Sequence, residues 1–378
     1  MKHFDRKDIA RNAFMLNGKL ARKGYDWWWH SFTGVDAETG EEKAFFIEFF
    51  VCNPELAEDE PVFGQLHENA KRRKKPSYLM VKAGCWGGDA CQLHRFFPWN
   101  ETSITTGVPF SIIAGDCYAS EDKLAGSISI SPEEAAAHPE WMCDSGEMSW
   151  ELNVDKKIAF NVGYGAGSIM RALNAFEMYW HAEGMKTHFS GTVTMNGRVY
   201  NVAPETCFGY ADKNWGADFT SPWIWLSSNC MESRITGKKL ENSVFDIGGG
   251  KPKVFGVSLD RILLGAFSYE GREFEFNFSK FWTKPKTLFR AFETETEIVW
   301  HIEQSNRRYV MRTCIHCPKS EMLLINYEAP DGSKKHNRLW NGGTGKGRIK
   351  LFRKKGGSLE LIDDIAVSHV GCEYGEFC

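Results

Sequence analysis

Long apolar runs are missing from this 378-residue sequence, and no stretch reaches the roughly 18 to 20 consecutive apolar residues that span a bilayer. The segment Met1–Gly24 mixes Lys, Arg and Asp throughout and lacks the apolar core that a signal peptide needs. We therefore expect neither a transmembrane segment nor export. The expected protein is soluble and cytoplasmic.

A marked excess of one charge is also missing. The chain has 46 Lys and Arg residues against 49 Asp and Glu, a net charge of -3. There is thus no global electrostatic reason to bind nucleic acid or an anionic membrane, and no nucleic-acid partner is expected. The dense basic run Lys71–Lys75 is predicted to be a solvated loop, with steering of an anionic substrate as the alternative.

Regular spacing of cysteines or metal ligands is absent as well. The count of 11 cysteines is odd, and an unexported protein keeps its thiols reduced, so free thiols are expected. Cys314 and Cys317 have no second close pair to complete a tetrahedral zinc site. In the Gly-rich stretch 341–347 no Ser or Thr follows Gly345-Lys346, as a phosphate loop requires, so the stretch is predicted as a hairpin loop, as is 248–250. No metal or cofactor is expected.

Aromatic residues, in contrast, make up 14% of the chain and lie in short alternating runs with Val, Ile and Thr. Gly, Asn, Asp and Pro separate the runs, a pattern typical of antiparallel strands. The clearest predicted strands are 44–52, 127–131, 192–202, 272–278, 297–303 and 308–315. Asn196 and Gly197 fit a type I′ turn inside the third. Many short strands must bury their edges, so we expect one or two barrels with an aromatic-lined pocket.

Two helices are predicted between the strands. Residues 131–134 provide a capping Ser, a Pro at the first helical position and a Glu at N3, and Pro139 ends this short helix. The second helix runs from about Ser168 to Glu183, carries apolar residues at helical spacing and ends at Gly184. Core packing of its apolar stripe is favoured over a cofactor-binding role.

The segment Phe208–Cys230 resembles the signature of the tocopherol cyclase family. In that family a Gly-Tyr pair leads through charged residues to Trp-Gly, then to Phe, a small residue and a Trp-x-Trp strand. The matching residues are Gly209, Tyr210, Lys213, Trp215, Gly216, Phe219, Ser221, Trp223 and Trp225. The Trp27–Trp29 run, a helix ending before His181 and the hairpin 189–200 agree in order, which extends the resemblance over about residues 25–230.

The early Trp run also resembles the Trp-Trp-Tyr element of lipocalin-like carotenoid hydratases and Diels-Alderases, with Trp29 or His30 in place of the tyrosine. These resemblances imply a mainly β fold of two tandem lipocalin-like antiparallel barrels with one or two short helices. Because the composition shifts near residues 184–191, we assign the barrels to residues 20–190 and 191–378.

The function implied by the resemblance is that of a cofactor-independent isomerase. Such a cyclase forms or opens a chroman-like oxygen heterocycle on an aromatic or prenylated hydrophobic substrate. It adds a phenol oxygen across an alkene, which requires a proton donor and a surface that tolerates positive charge. The alternatives are a hydratase or pericyclase acting on an apolar alkene, and a non-catalytic carrier of a hydrophobic metabolite.

Asp212 is the first candidate for the proton donor, because burial can keep a carboxyl protonated near neutral pH. In an extended strand, Tyr210, Asp212 and Asn214 share one face and Lys213 and Trp215 share the other. If the first face lines the pocket, Asp212 is the acid and its two neighbours orient the substrate oxygen. If the second does, Lys213 and Trp215 bind the substrate. A buried polar network that joins the barrels is the alternative role for this segment.

Aromatic side chains are the candidates for substrate binding. Trp28, Trp223 and Trp225 would stabilise a developing cation, by about 0.5 to 2 kcal/mol each. Core packing is the alternative role for them. Phe219 comes from the family motif, and His30 is included because it adjoins the Trp run. The sequence does not indicate an oligomeric state.

Overall fold

Antiparallel strands make up most of the computed structural model, which describes residues 4, 6–57, 59–160, 175–220, 222–259, 262–278 and 280–375. The helices in these residues are α1 Arg6–Arg11, α2 His67–Lys71 and α3 Pro132–Ala137. Turns of 3₁₀ helix lie at Gly18–Arg22, Trp99–Glu101, Pro139–Trp141, Phe281–Thr283 and Lys319–Glu321. The predicted mainly β architecture is confirmed.

The first sheet is 12-stranded and barrel-like. Its strands are β1 Tyr25–Asp36, β2 Glu42–Cys52, β3 Tyr78–Cys85, β4 Cys91–Phe97, β5 Thr102–Ile104, β6 Ser111–Ala114, β7 Cys117–Ser120, β8 Lys123–Ile130, β9 Gly146–Phe160, β10 Met178–Met195, β11 Arg198–Val202 and β12 Gly209–Gly216. The hydrogen-bonded order is β4-β3-β2-β1-β11-β10-β9-β8-β7-β6-β5, and β12 pairs with both β1 and β10.

The second sheet is 11-stranded and also barrel-like. The strands that follow β12 are β13 Trp223–Ser228, β14 Cys230–Ser233, β15 Val244–Gly250, β16 Lys253–Val254, β17 Val257–Ser258, β18 Ile262–Tyr269, β19 Arg272–Phe276, β20 Lys286–Glu293, β21 Glu297–Ser305, β22 Tyr309–Pro318, β23 Leu323–Glu328, β24 Lys334–Lys355 and β25 Ser358–Gly375. The hydrogen-bonded order is β19-β18-β15-β13-β25-β24-β22-β21-β20, with β14 on β25 and β23 on β24, while β16 and β17 form a separate hairpin.

Three clusters of buried apolar side chains fill the molecule. One lies inside the first sheet and contains Trp28 and Phe189, and another lies inside the second sheet and contains Trp300. The third combines side chains of both sheets, among them Tyr210 and Trp225, and so forms the interface between them. The sheets change between residues 216 and 223, and we propose this point as the domain boundary in place of 190–191.

The predicted turn at 196–197 and the predicted helix cap at 131–134 are confirmed. Asn196 and Gly197 join β10 to β11 with φ of 48° and 80°, as a type I′ turn requires. Ser131 caps α3, accepting a hydrogen bond from the Glu134 N–H, and the Glu134 carboxylate accepts one from the Ser131 N–H. The six predicted strands correspond to β2, β8, the β10–β11 hairpin, β19, β21 and β22. The cysteines described are free thiols.

The predicted helix at 168–183 is wrong where the structure describes it, because β10 begins at Met178 and pairs with β9, β11 and β12. Residues 168–174 lie outside the described residues. Both faces of β10 are buried near its start, so apolar residues occupy both faces and no period of two is visible. His181, expected after a helix, lies inside this strand.

The two Gly-rich stretches are also not loops, since 248–250 ends β15 and 341–347 lies within β24. Close approach explains these glycines. A Cβ at Gly347 would lie 2.0 Å from the Cys314 carbonyl oxygen, and one at Gly248 would lie 2.8 Å from the Trp180 ring. The basic run 71–75 begins at the end of α2 and is largely exposed.

Candidate functional site

Strand β12 lies at the centre of the predicted site, and all eight of its residues are buried. It pairs on one side with β1 and on the other with β10. Alternation of side chains places Tyr210, Asp212 and Asn214 toward the interface between the sheets, and Lys213 and Trp215 on the opposite side. Both sets are therefore enclosed, in two different environments.

Asp212 is held by indole N–H groups. Trp180 Nε1 donates to its Oδ2 at 2.8 Å, and Trp27 Nε1 lies 3.4 Å from its Oδ1. The Trp180 ring packs over Gly248 of β15, where a side chain would leave no room for it. The second sheet thus helps to fix the donor that orients the Asp212 carboxyl.

Tyr210 connects Asp212 to a second carboxyl from the other sheet. Its hydroxyl lies 3.2 Å from Asp212 Oδ2 and 3.0 Å from Asp246 Oδ2. Trp225 Nε1 donates to Asp246 Oδ1 at 3.0 Å. A phenol has one hydrogen to donate, so both contacts are hydrogen bonds only if one of the carboxyls is itself protonated. The geometry is that of a chain in which Asp212 or Asp246 carries a proton.

The electrostatics of this chain agree with a retained proton. Burial raises the pKa of Asp212 from 3.8 to about 8, and the nearby Glu373 adds to this, while the hydrogen bonds from Trp180, Tyr210 and Trp27 oppose it. Burial and the charge of Asp212 also raise the pKa of Asp246 well above its ordinary value. Asp212 is thus mainly a neutral acid at neutral pH.

Glu373 on β25 is a third acid of the interface. Its carboxylate accepts hydrogen bonds from Trp223 Nε1 at 2.5 Å and from Asn341 Nδ2 at 2.8 Å. Burial raises its pKa to about 7, against the lowering effect of these donors. Trp86 Nε1 in turn donates to Asn341 Oδ1 at 2.9 Å. Indole groups therefore hold all three of these acids.

Space is available beside these groups. Asp212 keeps 8% of its surface accessible and Glu373 is half-buried, although both lie between the sheets. A small cavity of about 60 Å³ adjoins the indoles of Trp180 and Trp223. Its other lining residues are Phe176, Met178, Tyr179, Thr220, Gly248, Gly249, Pro252, Ile262, Leu264, Asn277 and Phe278. The cavity is mainly apolar and suits an apolar group of a ligand.

The opposite face of β12 looks into the first barrel, where charges are paired. Lys213 Nζ contacts Asp26 Oδ1, and both side chains are fully buried. The same ammonium lies 3.5 Å from the centre of the Trp28 ring. Burial lowers the pKa of Lys213 and raises that of Asp26 to about 6, while the pair opposes both shifts. This buried ion pair lies on the opposite face of β12 from Asp212.

The predicted residues thus fall into two groups. Five meet at the interface: Tyr210, Asp212, Phe219, Trp223 and Trp225. Asn214 faces the same side and accepts a hydrogen bond from the Tyr25 hydroxyl at 2.7 Å. Lys213, Trp28, His30 and Trp215 lie away from it; the Trp215 ring stacks on Tyr179 at 5.5 Å, and burial lowers the pKa of His30 to about 3.

Three residues of the site were missed by the sequence analysis. Trp180 was assigned to a helical stripe, whereas it lies on a strand. Asp246 and Glu373 carry a weak signal: each is an acid inside an otherwise apolar or small-residue run, at 244–250 and 370–375. A charge in such a strand is either paired or functional, and that signal could have selected both.

Within the described ranges, no group of three or more His, Cys, Asp or Glu residues is arranged to hold a metal ion. No helix in the described part of the chain is long and apolar enough to cross a membrane.

Comparison with known proteins gives one family. Residues 131–376 match the model of the family described as Tocopherol cyclase-like. This range shares residues 131–230 with the sequence resemblance, continues to 376 and does not include 25–130. The search of curated proteins found no match. Two solved structures are similar, each with 11% sequence identity and a TM-score of 0.46. One is named for AttH from Nitrosomonas europaea, and the alignment covers 94% of this chain and 97% of that one. The other is kievitone hydratase from Nectria haematococca, with coverages of 97% and 95%.

Proposed function

The chain belongs to the Tocopherol cyclase-like family, and we propose that it is a cofactor-independent enzyme that protonates an alkene of an apolar substrate. The substrate binds between the two sheets, and Asp212 is the general acid. One observation carries this proposal: a carboxyl with a pKa of about 8 accepts a hydrogen bond from Trp180, an indole that lines the apolar pocket, and is linked through Tyr210 to a second buried carboxyl.

The proposed step needs only a proton and a nucleophile. Asp212 transfers its proton to one alkene carbon, and positive charge develops on the other carbon. The phenol oxygen of the substrate bonds to that carbon, and the phenol proton returns to the carboxylate. Atoms and charges balance, and no electron is gained or lost. General acid catalysis of this kind contributes typically 10²- to 10⁴-fold.

The neighbouring groups have distinct roles in this proposal. Tyr210 and Asp246 relay the phenol proton of the substrate to Asp212 through their hydrogen-bonded chain, so the acid is restored between turnovers. The rings of Trp180 and Trp223, which line the pocket, stabilise the developing cation by about 0.5 to 2 kcal/mol each. Their N–H groups point to carboxyls, so the rings are held in fixed orientations.

At the finer level we propose a cyclase that forms or opens a chroman-like ring on an aromatic or prenylated substrate, which is an isomerase reaction. The same acid would serve a hydratase, in which water replaces the phenol oxygen as the nucleophile. A carrier would need the pocket but not a protonated carboxyl. The raised pKa of Asp212 therefore favours an enzyme over a carrier.

The test is mass spectrometry of the purified protein with phenols that carry alkene side chains, and with chroman-type heterocycles for the reverse reaction. Conversion without a change in mass supports the cyclase, and a gain of one water supports the hydratase. Asp212→Asn should abolish either reaction. Asp363→Asn is the matched control, because Asp363 is also buried and accepts a tyrosine hydroxyl, at 2.9 Å from Tyr269, away from the pocket. Binding without conversion would contradict the enzyme proposal.

A further inference from the structure

Two loops flank the apolar pocket beside Trp180. One is the β16–β17 hairpin, where Pro252 lines the pocket and Val254 pairs with Phe176. The other follows β19, where Phe278 lines the pocket with its ring 6.4 Å from that of Phe176. Both loops therefore contribute side chains to the lining of the pocket.

The same two loops carry some of the most exposed large apolar side chains described. Val257 is 66% exposed and Phe255 is 61% exposed, both on the hairpin. Trp282, in the 3₁₀ turn after Phe278, is 57% exposed. Exposed large apolar side chains on two loops that line one pocket indicate an interaction surface.

Basic residues lie in the same two loops and in two further turns next to the second loop. The Arg307 N–H donates to the Thr283 carbonyl at 2.9 Å, and the Lys354 N–H donates to the Arg308 carbonyl at 2.8 Å, so two further turns adjoin the second loop. We call segments 251–259, 280–286, 306–308 and 353–355 the basic rim. The rim contains ten Lys and Arg residues and no Asp or Glu. Against a whole-chain net charge of -3, this is a strong local asymmetry.

Most of the rim charges face solvent. Lys253 pairs with Glu177 at 2.9 Å, and Lys280 pairs with Glu275 at 2.6 Å. The other eight are on exposed residues: Lys251, Lys284, Lys286, Arg307, Arg308, Arg353, Lys354 and Lys355. The net charge of the whole chain does not indicate this basic surface, because acidic residues elsewhere compensate for its positive charge.

We propose that the basic rim docks the protein on an anionic lipid membrane, with the mouth of the apolar pocket toward the bilayer. Lys and Arg are attracted to anionic headgroups, and Trp and Phe insert at the boundary between headgroups and acyl chains. A nucleic acid would also attract the charges, but an exposed Val257 has no stacking role there. Docking would let an apolar molecule pass from lipid to pocket without crossing water.

Membrane docking would deliver the ligand to the pocket, whether the ligand is then converted or only carried.

The test is flotation of the full chain with phosphatidylcholine vesicles, with and without phosphatidylserine, at low and high salt. We expect binding to the phosphatidylserine vesicles that salt weakens. Lys284→Glu with Lys286→Glu should reduce binding on the order of tenfold or more. Phe255→Ser with Val257→Ser should do the same with charge unchanged.

Matched controls come from the first barrel. Arg72→Glu with Lys74→Glu changes the net charge equally at the exposed basic run, and Ile113→Ser removes an apolar side chain that is 46% exposed. Both should float like the unaltered protein. No binding to phosphatidylserine vesicles, equal loss in the control variants, or tighter binding to single-stranded RNA than to vesicles would each overturn the proposal.

Discussion

Replacing Asp212 by Asn tests whether this residue is a catalytic acid or a structural one. The two roles predict opposite changes in the free energy of unfolding. The pKa of Asp212 is about 8 in the folded chain against an ordinary 3.8. A folded-state pKa that is raised means that stability is fully present below about pH 3.8 and is lost as pH rises toward 8. At 1.36 kcal/mol per pKa unit, the loss near pH 7 is on the order of 4 kcal/mol as an upper limit.

An Asn at position 212 cannot ionise, so the variant does not lose stability as pH rises toward 8. Its amide oxygen, in the place of Oδ2, still accepts from Trp180 Nε1 and can accept from the Tyr210 hydroxyl, and its amide nitrogen takes the place of Oδ1, so that only the longer contact with Trp27 Nε1 is lost. Asp212→Asn should therefore be more stable than the unaltered chain in urea unfolding near pH 7, by up to a few kcal/mol. The difference should vanish near pH 4.

Turnover should respond in the opposite direction. The variant should lose at least about 10²-fold in kcat, and the unaltered enzyme should lose activity as pH rises through about 8. A variant that is both less stable near pH 7 and inactive would mean that Asp212 serves the fold. A stable variant with full activity would refute the assignment of the acid.

Three further predictions concern neighbouring features. Tyr210→Phe removes a donor that lowers the pKa of Asp212, so the alkaline loss of kcat should move to higher pH; an unmoved profile would contradict the contact. Lys213→Met leaves Asp26 buried without its cation and should cost about 3 to 5 kcal/mol in urea unfolding, with partial recovery when Asp26→Asn is added. Gly347→Ala should cost at least about 1 to 3 kcal/mol, whereas Gly88→Ala, where a Cβ meets nothing within 4 Å, should be nearly neutral. Equal effects of the two Ala variants would refute the close-approach account.

Much of the fold follows from local sequence signals. Alternating aromatic and β-branched runs predicted strands, and the 131–134 capping box and the 196–197 turn were predicted correctly because their chemistry is local. The segment 178–183 was misassigned because both faces of a strand between two sheets are buried. Period-two alternation disappears in such a strand, and a helical spacing can then arise by coincidence.

The glycines show a second limit of sequence reasoning. Gly248, Gly343 and Gly371 lie in strands, and an added Cβ would lie 2.8, 2.3 and 2.4 Å from the rings of Trp180, Trp86 and Trp225 respectively. Each glycine makes room for an indole that contributes to the interface. The sequence shows the glycine but not its distant ring, so a loop was the natural prediction for the first two.

The candidate site was predictable in part for a similar reason. Face alternation correctly separated Tyr210, Asp212 and Asn214 from Lys213 and Trp215. It could not indicate that both faces are enclosed, nor that Asp246 would approach from the second sheet. Those facts depend on contacts between residues that are far apart in the chain.

The most direct test of the central claim is the reaction in D₂O, followed by mass spectrometry and NMR of the product. If Asp212 protonates an alkene carbon, each product molecule should carry one deuterium in a C–H position that does not exchange, and Asp212→Asn should form none. A product without carbon-bound deuterium would mean that the reaction proceeds without protonation at carbon and would contradict the account.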